Sequence, residues 1–89
     1  MFIYILKCAD GSLYTGWTAD LVRRVQTHEA GKASKYTRSR LPVRLIGWMG
    51  VSDRSHAKSI EAQFKRLSRA EKLRALEAGQ AFGLTLHKA

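Results

Sequence analysis

The sequence has one cysteine, one proline and no long apolar run, and these shortages exclude several classes of protein. Because Cys8 has no partner within the chain, it can form neither an internal disulfide nor a cysteine-based zinc site. No apolar stretch approaches the roughly 18–20 residues that cross a bilayer. The first residues also lack the regions of a signal peptide. We therefore expect a cytoplasmic protein in a reducing environment, with no membrane association.

Acidic residues are scarce as well. Sixteen Lys and Arg residues stand against seven Asp and Glu residues, which gives a formal net charge of +9. A small domain this basic attracts polyanions, nucleic acid above all. Excess charge can serve solubility alone, but in a chain of 89 residues we interpret it as the sign of a nucleic-acid partner. We expect no obligate protein partner.

The length of 89 residues allows one modest core. With 45% hydrophobic and 26% charged residues, the composition is ordinary for a globular protein. We expect a single domain over residues 1–89, with a core over about residues 1–75. The tail over residues 80–89 carries no pattern that predicts an element.

The first 18 residues predict a β-hairpin. Residues 2–6 are an unbroken apolar run, typical of a central strand covered on both faces. The sequence Ala-Asp-Gly at 9–11 is a turn signal, and residues 13–15 resume a strand.

Two registers are open for this hairpin. A two-residue loop places Tyr4 and Tyr14 on opposite faces of the sheet. A three-residue loop with Gly11 in the left-handed conformation places Tyr14 opposite Leu6, on the same face as Tyr4 and diagonal to it. Only the second register can form one site from the two hydroxyls.

A first helix is predicted between Thr18, as its N-cap, and a stop at Gly31. Its predicted buried stripe consists of Leu21, Val22 and Val25. Arg24 and His28 are predicted to lie along one edge of that stripe. Arg23 projects nearly opposite the stripe and is predicted to be solvated.

Two further helices follow a third strand. Residues 43–51 are the predicted strand, although Gly47 weakens its middle. Asp53 caps a helix that runs to about Leu67, with Glu61 beside its apolar face. A capping box at residues 68–71 begins the last helix, which Gly79 ends. The predicted fold class is α+β, a small three-stranded antiparallel sheet flanked by about three helices.

Residues 31–42, GKASKYTRSRLP, are predicted to form a basic loop. Four cations surround one aromatic residue: Lys32, Lys35, Arg38 and Arg40 around Tyr36. Interleaved cations and an aromatic ring suit phosphate contact and base stacking, and a solvated loop is the alternative. Trp17 and Trp48 are interpreted as core or rim residues rather than as stacking platforms.

The order of these features resembles the GIY-YIG nuclease domain, named for two short motifs on its first two strands. The motifs read Tyr4-Ile5-Leu6, preceded by Ile3, and Tyr14-Thr15-Gly16. Arg24, His28 and Glu61 follow in matching elements. The resemblance covers about residues 1–75 and is strongest to the small stand-alone bacterial members of the UPF0213 type.

Three positions depart from the family's pattern. Ile3 replaces the glycine of the first motif, Trp17 stands where several family nucleases carry lysine, and His28 stands where many members have tyrosine. Without this lysine, the chain lacks one cation that several family nucleases carry at this position.

The resemblance implies hydrolysis of a DNA phosphodiester with one divalent ion, Mg²⁺ or Mn²⁺. Glu61 would hold the metal, Arg24 would bind the non-bridging phosphate oxygens, and Tyr4 would deprotonate or orient water. Tyr14 would hydrogen-bond water or phosphate, and His28 would relay a proton or donate to phosphate. The predicted nucleic-acid contacts are Gly16, Lys32, Lys35, Tyr36, Arg38 and Arg40.

Each of these roles has a structural alternative. The tyrosines can be strand residues that pack a half-buried face. Glu61 can pair with Arg24 across two helices, or with Lys65 one turn on. His28 can be a hydrogen-bonded histidine at the edge of the core. For the whole chain, the alternative is a nucleic-acid-binding module of the same fold without turnover, and RNA stays open as the substrate.

Overall fold

A computed structural model describes all 89 residues as an α+β fold, as the sequence predicts. The elements, in chain order, are β1 (Phe2–Lys7), β2 (Leu13–Thr18), α1 (Leu21–Glu29), α2 (Lys35–Arg38), β3 (Arg44–Gly50), α3 (Arg54–Lys65), α4 (Arg69–Ala78), β4 (Gln80–Ala81), β5 (Leu84–Thr85) and β6 (His87–Lys88). No helix in the chain combines the length and apolar character that a membrane span requires.

The main sheet is antiparallel and has the order β2-β1-β3-β6. β1 is central and residues 3–6 of it are buried, as its apolar run predicts. The sheet has four strands rather than three, because the tail returns and adds β6 beside β3. A separate two-stranded ribbon, β4 with β5, precedes this last strand.

The hairpin adopts the second register. Leu6 pairs with Tyr14, and Tyr4 pairs with Gly16. The loop spans residues 9–11, closed by a hydrogen bond from the Cys8 amide to the Ser12 carbonyl at 2.9 Å. Gly11 has a φ of 84°, the left-handed conformation that glycine adopts without strain. Tyr4 and Tyr14 therefore share one face of the sheet, which we call the hydroxyl face.

The predicted start of α1 is wrong by two residues. Asp20 is the N-cap, and its carboxylate accepts a hydrogen bond from the Arg23 amide at 3.2 Å. Thr18 remains in β2 because it still pairs with Phe2. The N-cap is therefore Asp20, the first suitable side chain after the end of β2.

Val22 does not belong to the buried stripe of α1, since it is 68% exposed. The stripe follows positions i, i+4 and i+7, which are Leu21, Val25 and His28, and Val22 lies about 100° around the helix from it. Arg23 is exposed and Arg24 is half-buried, as predicted.

The caps of the two long helices agree with the sequence. The Asp53 carboxylate accepts from the His56 amide at 2.8 Å, and α3 ends at Lys65, two residues before the predicted end. Ser68 and Glu71 form the reciprocal capping box of α4. Gly79 ends that helix with a φ of 71°.

The basic segment is not wholly a loop. Ser34 caps the single-turn helix α2, and its hydroxyl accepts from the Thr37 amide at 3.2 Å. Thr37 is fully buried because α2 folds back onto α1.

The sheet divides the interior into two apolar clusters. The larger lies between the sheet and helices α3 and α4, and it includes Ile3, Ile5, Phe64 and, from the tail, Leu86. The smaller lies on the hydroxyl face and is covered in part by α1. Side chains alternate along each strand, so the register decides which cluster each residue joins.

Candidate active site

Tyr4 lies at the centre of the hydroxyl face, in a cross-strand row with Gly16 on one side and Trp48 on the other. The Tyr4 ring leans over Gly16, where an added Cβ would lie 2.6 Å from the ring's Cζ and would overlap the hydroxyl. The absence of a side chain at Gly16 therefore provides the space that the Tyr4 ring occupies. The Tyr14 ring centroid lies 6.4 Å from that of Tyr4.

His28 joins the two tyrosines to α2. Its Nε2 lies 2.8 Å from the Tyr4 hydroxyl, and its Nδ1 lies 2.8 Å from the Thr37 Oγ1. The Thr37 hydroxyl can donate to the Ser34 carbonyl at 3.5 Å. With that donor assignment, Nδ1 carries the proton and Nε2 accepts from Tyr4.

Burial and the neighbouring guanidinium set the charge of this histidine. Burial lowers the pKa of His28 to about 4, and the positive charge of Arg24 acts in the same direction. The imidazole is therefore neutral at pH 7. His28 is a core histidine with both nitrogens in hydrogen bonds, which was one alternative from the sequence, and it also contacts the candidate catalytic hydroxyl.

Burial also raises the pKa of Tyr4, against the opposing influence of Arg24. The charges of Tyr14 and Glu61 add to the rise. Tyr4 is thus a neutral phenol at pH 7. The pKa of this hydroxyl thus responds to Arg24 and Glu61, which belong to different helices.

The Nε of Arg24 is buried and has no hydrogen-bond partner. No other buried side-chain nitrogen in the structure lacks a partner. The side chain lines an open cleft of roughly 210 Å³ that contains no apolar residue. The cleft is formed by Thr18, Asp20, Arg23, Arg24 and Thr27. A buried N–H without an acceptor costs free energy. An anionic oxygen in the cleft would recover this cost if the guanidinium turned to expose its Nε.

Glu61 has a side chain that is 22% exposed and an Oε2 that lies 3.6 Å from the Lys65 Nζ. Of its two predicted structural pairings, the one with Lys65 forms and the ion pair with Arg24 does not. A contact at that distance between partly exposed groups contributes little to stability. The carboxylate can therefore exchange this partner for another cation.

No three His, Cys, Asp or Glu side chains come together as a ready-made metal cage. One carboxylate at the edge of an open surface nevertheless fits Mg²⁺, which keeps several waters and takes its remaining ligands from substrate phosphate. Glu61 is the residue that could provide this oxygen ligand.

The basic segment contributes one ring to the hydroxyl face and leaves three cations exposed. Tyr36 stacks on Tyr14 with a centroid distance of 5.8 Å. The Arg40 guanidinium lies 3.8 Å above the Tyr36 ring, and its Nε lies 3.1 Å from the Asp10 carboxylate. Arg40 thus holds Tyr36 in place. Lys32, Lys35 and Arg38 are exposed and have no ion-pair partner.

Trp17 lies on the opposite side of β2 from Tyr14. It packs against the larger core cluster, with the Arg54 guanidinium 5.7 Å above its ring. A tryptophan in place of the family's lysine therefore removes no group from the hydroxyl face itself.

Two residues that contribute here were not singled out from the sequence. Thr37 orients His28, and its only signal is the capping pattern that Ser34 begins. Lys72 is buried, and its Nζ donates to the Thr15 hydroxyl at 3.0 Å from the other side of β2. Burial lowers the pKa of Lys72, and nearby Lys65 lowers it further. A lone lysine within a helix gives no sign of this contact.

Known proteins share both the sequence pattern and the fold. A family model described as the GIY-YIG catalytic domain matches residues 1–74. A UPF0213 protein of Streptococcus pneumoniae is 47% identical over 79 residues, which is 89% of this chain and 80% of that protein. A UPF0213 protein of Syntrophus aciditrophicus is 47% identical over 77 residues, 85% of this chain and 88% of that one.

A solved structure agrees with these relatives. The solution NMR structure of a UPF0213 protein from Bacillus halodurans is 42% identical, with a TM-score of 0.56 over 86% of this chain and 82% of that one. The motifs, the hydroxyl face and the extent of the matches lead to one conclusion. The chain belongs to the GIY-YIG catalytic domain family, among its UPF0213 members.

Proposed function

We propose that this protein is a divalent-metal-dependent endonuclease that hydrolyses phosphodiester bonds in DNA, with weak sequence specificity or a preference for branched or unpaired structure. The observation that carries the proposal is the Tyr4 hydroxyl, which lies 2.8 Å from Nε2 of a neutral His28 and whose pKa responds to the Arg24 guanidinium. Family membership implies a nuclease-type activity and a nucleic-acid substrate.

The geometry supports a proton path from the attacking water. The Tyr4 oxygen can accept a proton from water while its own proton passes to His28 Nε2 along the hydrogen bond, whose oxygen–nitrogen distance is 2.8 Å. In the resting site this transfer is unfavourable, because burial and Arg24 disfavour the imidazolium. A substrate phosphate bound to Arg24 offsets that guanidinium charge, so the path becomes easier when the substrate is present.

Arg24 and Glu61 have separate tasks in this scheme. The Arg24 guanidinium binds the non-bridging phosphate oxygens, where negative charge accumulates. Glu61 would hold Mg²⁺ or Mn²⁺, which when bound polarises the phosphoryl group and stabilises the leaving oxygen. Tyr14, which stacks on Tyr36 and meets the His28 ring at a tilt, would orient the water or phosphate.

A binding module without turnover is the second candidate. The observation that favours it is the ion pair between Glu61 and Lys65, which engages the one acidic group available for metal. The loss of lysine at position 17 favours it less, since Trp17 packs on the other side of β2.

We further propose that residues 1–89 act as one domain in the cytoplasm, with no obligate protein partner. The free, buried Cys8 agrees with a reducing compartment.

The decisive experiment compares Glu61→Gln with Glu77→Gln. Both carboxylates pair with a lysine, but Glu77 pairs with Lys88 away from the hydroxyl face. Each protein would be incubated with labelled single-stranded, duplex and branched DNA in the presence of Mg²⁺ or Mn²⁺. A parallel reaction with EDTA would serve as the metal-free control. We expect Glu61→Gln to lose about 100-fold or more in cleavage rate and to keep its DNA affinity.

The matched control, Glu77→Gln, should cleave DNA at the wild-type rate. Wild-type cleavage retained in Glu61→Gln would refute the assignment of the metal. Binding without cleavage of any substrate would establish the binding module instead.

A further inference from the structure

The part of the hydroxyl face beyond Tyr4 carries three aromatic rings that are at least partly exposed. Trp48 is opposite Tyr4 in the register, and His87 is opposite Trp48, so their side chains leave the sheet on the same side. Phe2 precedes Tyr4 by two residues and shares this face. We call Phe2, Trp48 and His87 the aromatic platform.

The three rings contact one another rather than the core. Trp48 and His87 are stacked with centroids 4.2 Å apart, and Phe2 meets Trp48 edge to face at 5.9 Å. Neither Phe2 nor Trp48 packs against either apolar cluster. Both rings are half-buried and His87 is exposed. Packing of the core therefore does not account for them.

The surroundings of the platform are open. Gly50 pairs with Phe2 on this face, and a Cβ added there would meet no atom within 4 Å. By contrast, a Cβ at Gly47, on the other side of the same strand, would overlap the Leu76 side chain. The space at Gly50, beside Phe2, is thus free on a strand whose opposite side is tightly packed at Gly47.

The platform adjoins the cationic cleft. Thr18 lines the cleft of Arg23 and Arg24, and Thr18 also pairs with Phe2. One continuous surface therefore runs from the guanidinium groups, through Thr18 and Phe2, to Trp48 and His87. Phosphate binding at one end and ring stacking at the other are the two contacts that an unpaired nucleotide strand makes with a protein.

We propose that the aromatic platform binds an unpaired base of single-stranded DNA whose backbone enters the cleft of Arg24. This deepens the proposed function, on which it rests, because it identifies an unpaired stretch beside the candidate site as the preferred substrate. A base within a duplex is stacked on its neighbours and presents no free face to the rings, so duplex DNA cannot use the platform. The platform also revises the interpretation of Trp48 as a core or rim residue.

The two tryptophans allow a direct test in the absence of metal. Trp17→Phe leaves Trp48 as the sole tryptophan, whereas Trp48→Phe leaves Trp17 on the other side of the sheet. Each variant would be titrated with a thymidine oligonucleotide in EDTA, with binding followed in parallel by the anisotropy of a labelled strand. We expect quenching of Trp48 emission that follows binding, and no such change for Trp17.

A second measurement removes one exposed ring from the platform and one from elsewhere on the surface. We expect His87→Ala to weaken single-strand affinity by roughly 5- to 100-fold and leave duplex affinity unchanged. His87→Phe, which restores a ring, should recover the affinity. Phe82→Asn is the control, because Phe82 is an exposed ring in the β4–β5 turn, and asparagine suits its positive φ of 52°. Since the Phe82 ring also meets the buried Phe64 edge to face, thermal unfolding of both variants would confirm that they are folded.

The results separate this inference from the nuclease proposal. Oligonucleotide binding that leaves Trp48 emission unchanged would overturn the platform, and so would an equal loss of single-strand and duplex affinity in His87→Ala. Absence of single-strand binding would also overturn it. Quenching of Trp48 in a protein that never cleaves would support the platform and refute only the nuclease.

Discussion

The imidazole of His28 makes the stability of this domain sensitive to mild acid. Its pKa is about 4 in the folded protein, against about 6.5 in the unfolded chain. Between these values the unfolded state binds a proton and the folded state does not. The stabilisation is therefore complete above pH 6.5 and is lost as the pH falls towards 4.

We expect the free energy of unfolding to drop by about 2–3 kcal/mol between pH 7 and pH 4.5 on account of this residue. Urea titrations at the two pH values would measure the change. His28→Gln, a polar side chain that does not titrate, should be less stable at pH 7 but should lose less stability in acid. An identical pH dependence in wild type and variant would exclude His28 as the cause.

At the scale of an element, the strand β2 is constrained by the ring that leans across it. Gly16→Ala would place a methyl group on the Tyr4 ring, and this ring cannot yield without breaking its hydrogen bond to His28. We expect a loss of roughly 1–3 kcal/mol in stability from the overpacking, together with impaired function. Thermal unfolding and the DNA assays would measure both.

Gly50→Ala is the matched control for this change. It is the same substitution on the same face, in β3 on the other side of β1, and its Cβ would enter free space. We expect a change within about 0.5 kcal/mol. Equal losses in the two variants would show that the effect comes from the strand backbone rather than from contact with Tyr4.

Local chemistry predicts most of the elements correctly. The apolar run of β1, the caps at Asp53 and Ser68 and the stop at Gly79 depend on nearby residues alone, and the structure bears them out. The hairpin register stayed open because both loop lengths are compatible with the Asp-Gly sequence. The start of α1 was wrong because pairing of Thr18 with Phe2, a tertiary contact, moved the cap to Asp20.

Some features of the candidate site could not be predicted from the sequence, because they depend on contacts between residues that are distant along the chain. Tyr4, Arg24, His28 and Glu61 were singled out by resemblance, but the bond from His28 to Thr37 requires α2, a single turn with no periodicity to reveal it. The aromatic platform depends on β6, which has two residues and is shorter than any alternating pattern.

At the scale of the whole molecule, the tail belongs to the core. Leu86 is almost fully buried among residues of the larger cluster. We expect Leu86→Ala to cost about 2–5 kcal/mol, a large share of the roughly 5–15 kcal/mol that stabilises a typical domain. Chemical denaturation would measure the loss.

Val22→Ala serves as the control, because this apolar side chain is 68% exposed and its truncation should leave stability nearly unchanged. If the two variants were equally stable, residues 80–89 would be an appendage to a fold that is complete without them.

The strand β6 also determines how the molecule behaves towards copies of itself. It pairs with Gly47 and Trp48 in β3, and Lys88 adds a charge at this edge. If β6 detached, β3 would present unpaired backbone groups beside Ile46 and Met49, the kind of edge on which strands from other chains add. A strand of two residues thus protects the sheet from aggregation, and the concentration at which the protein precipitates depends on how firmly the tail is held.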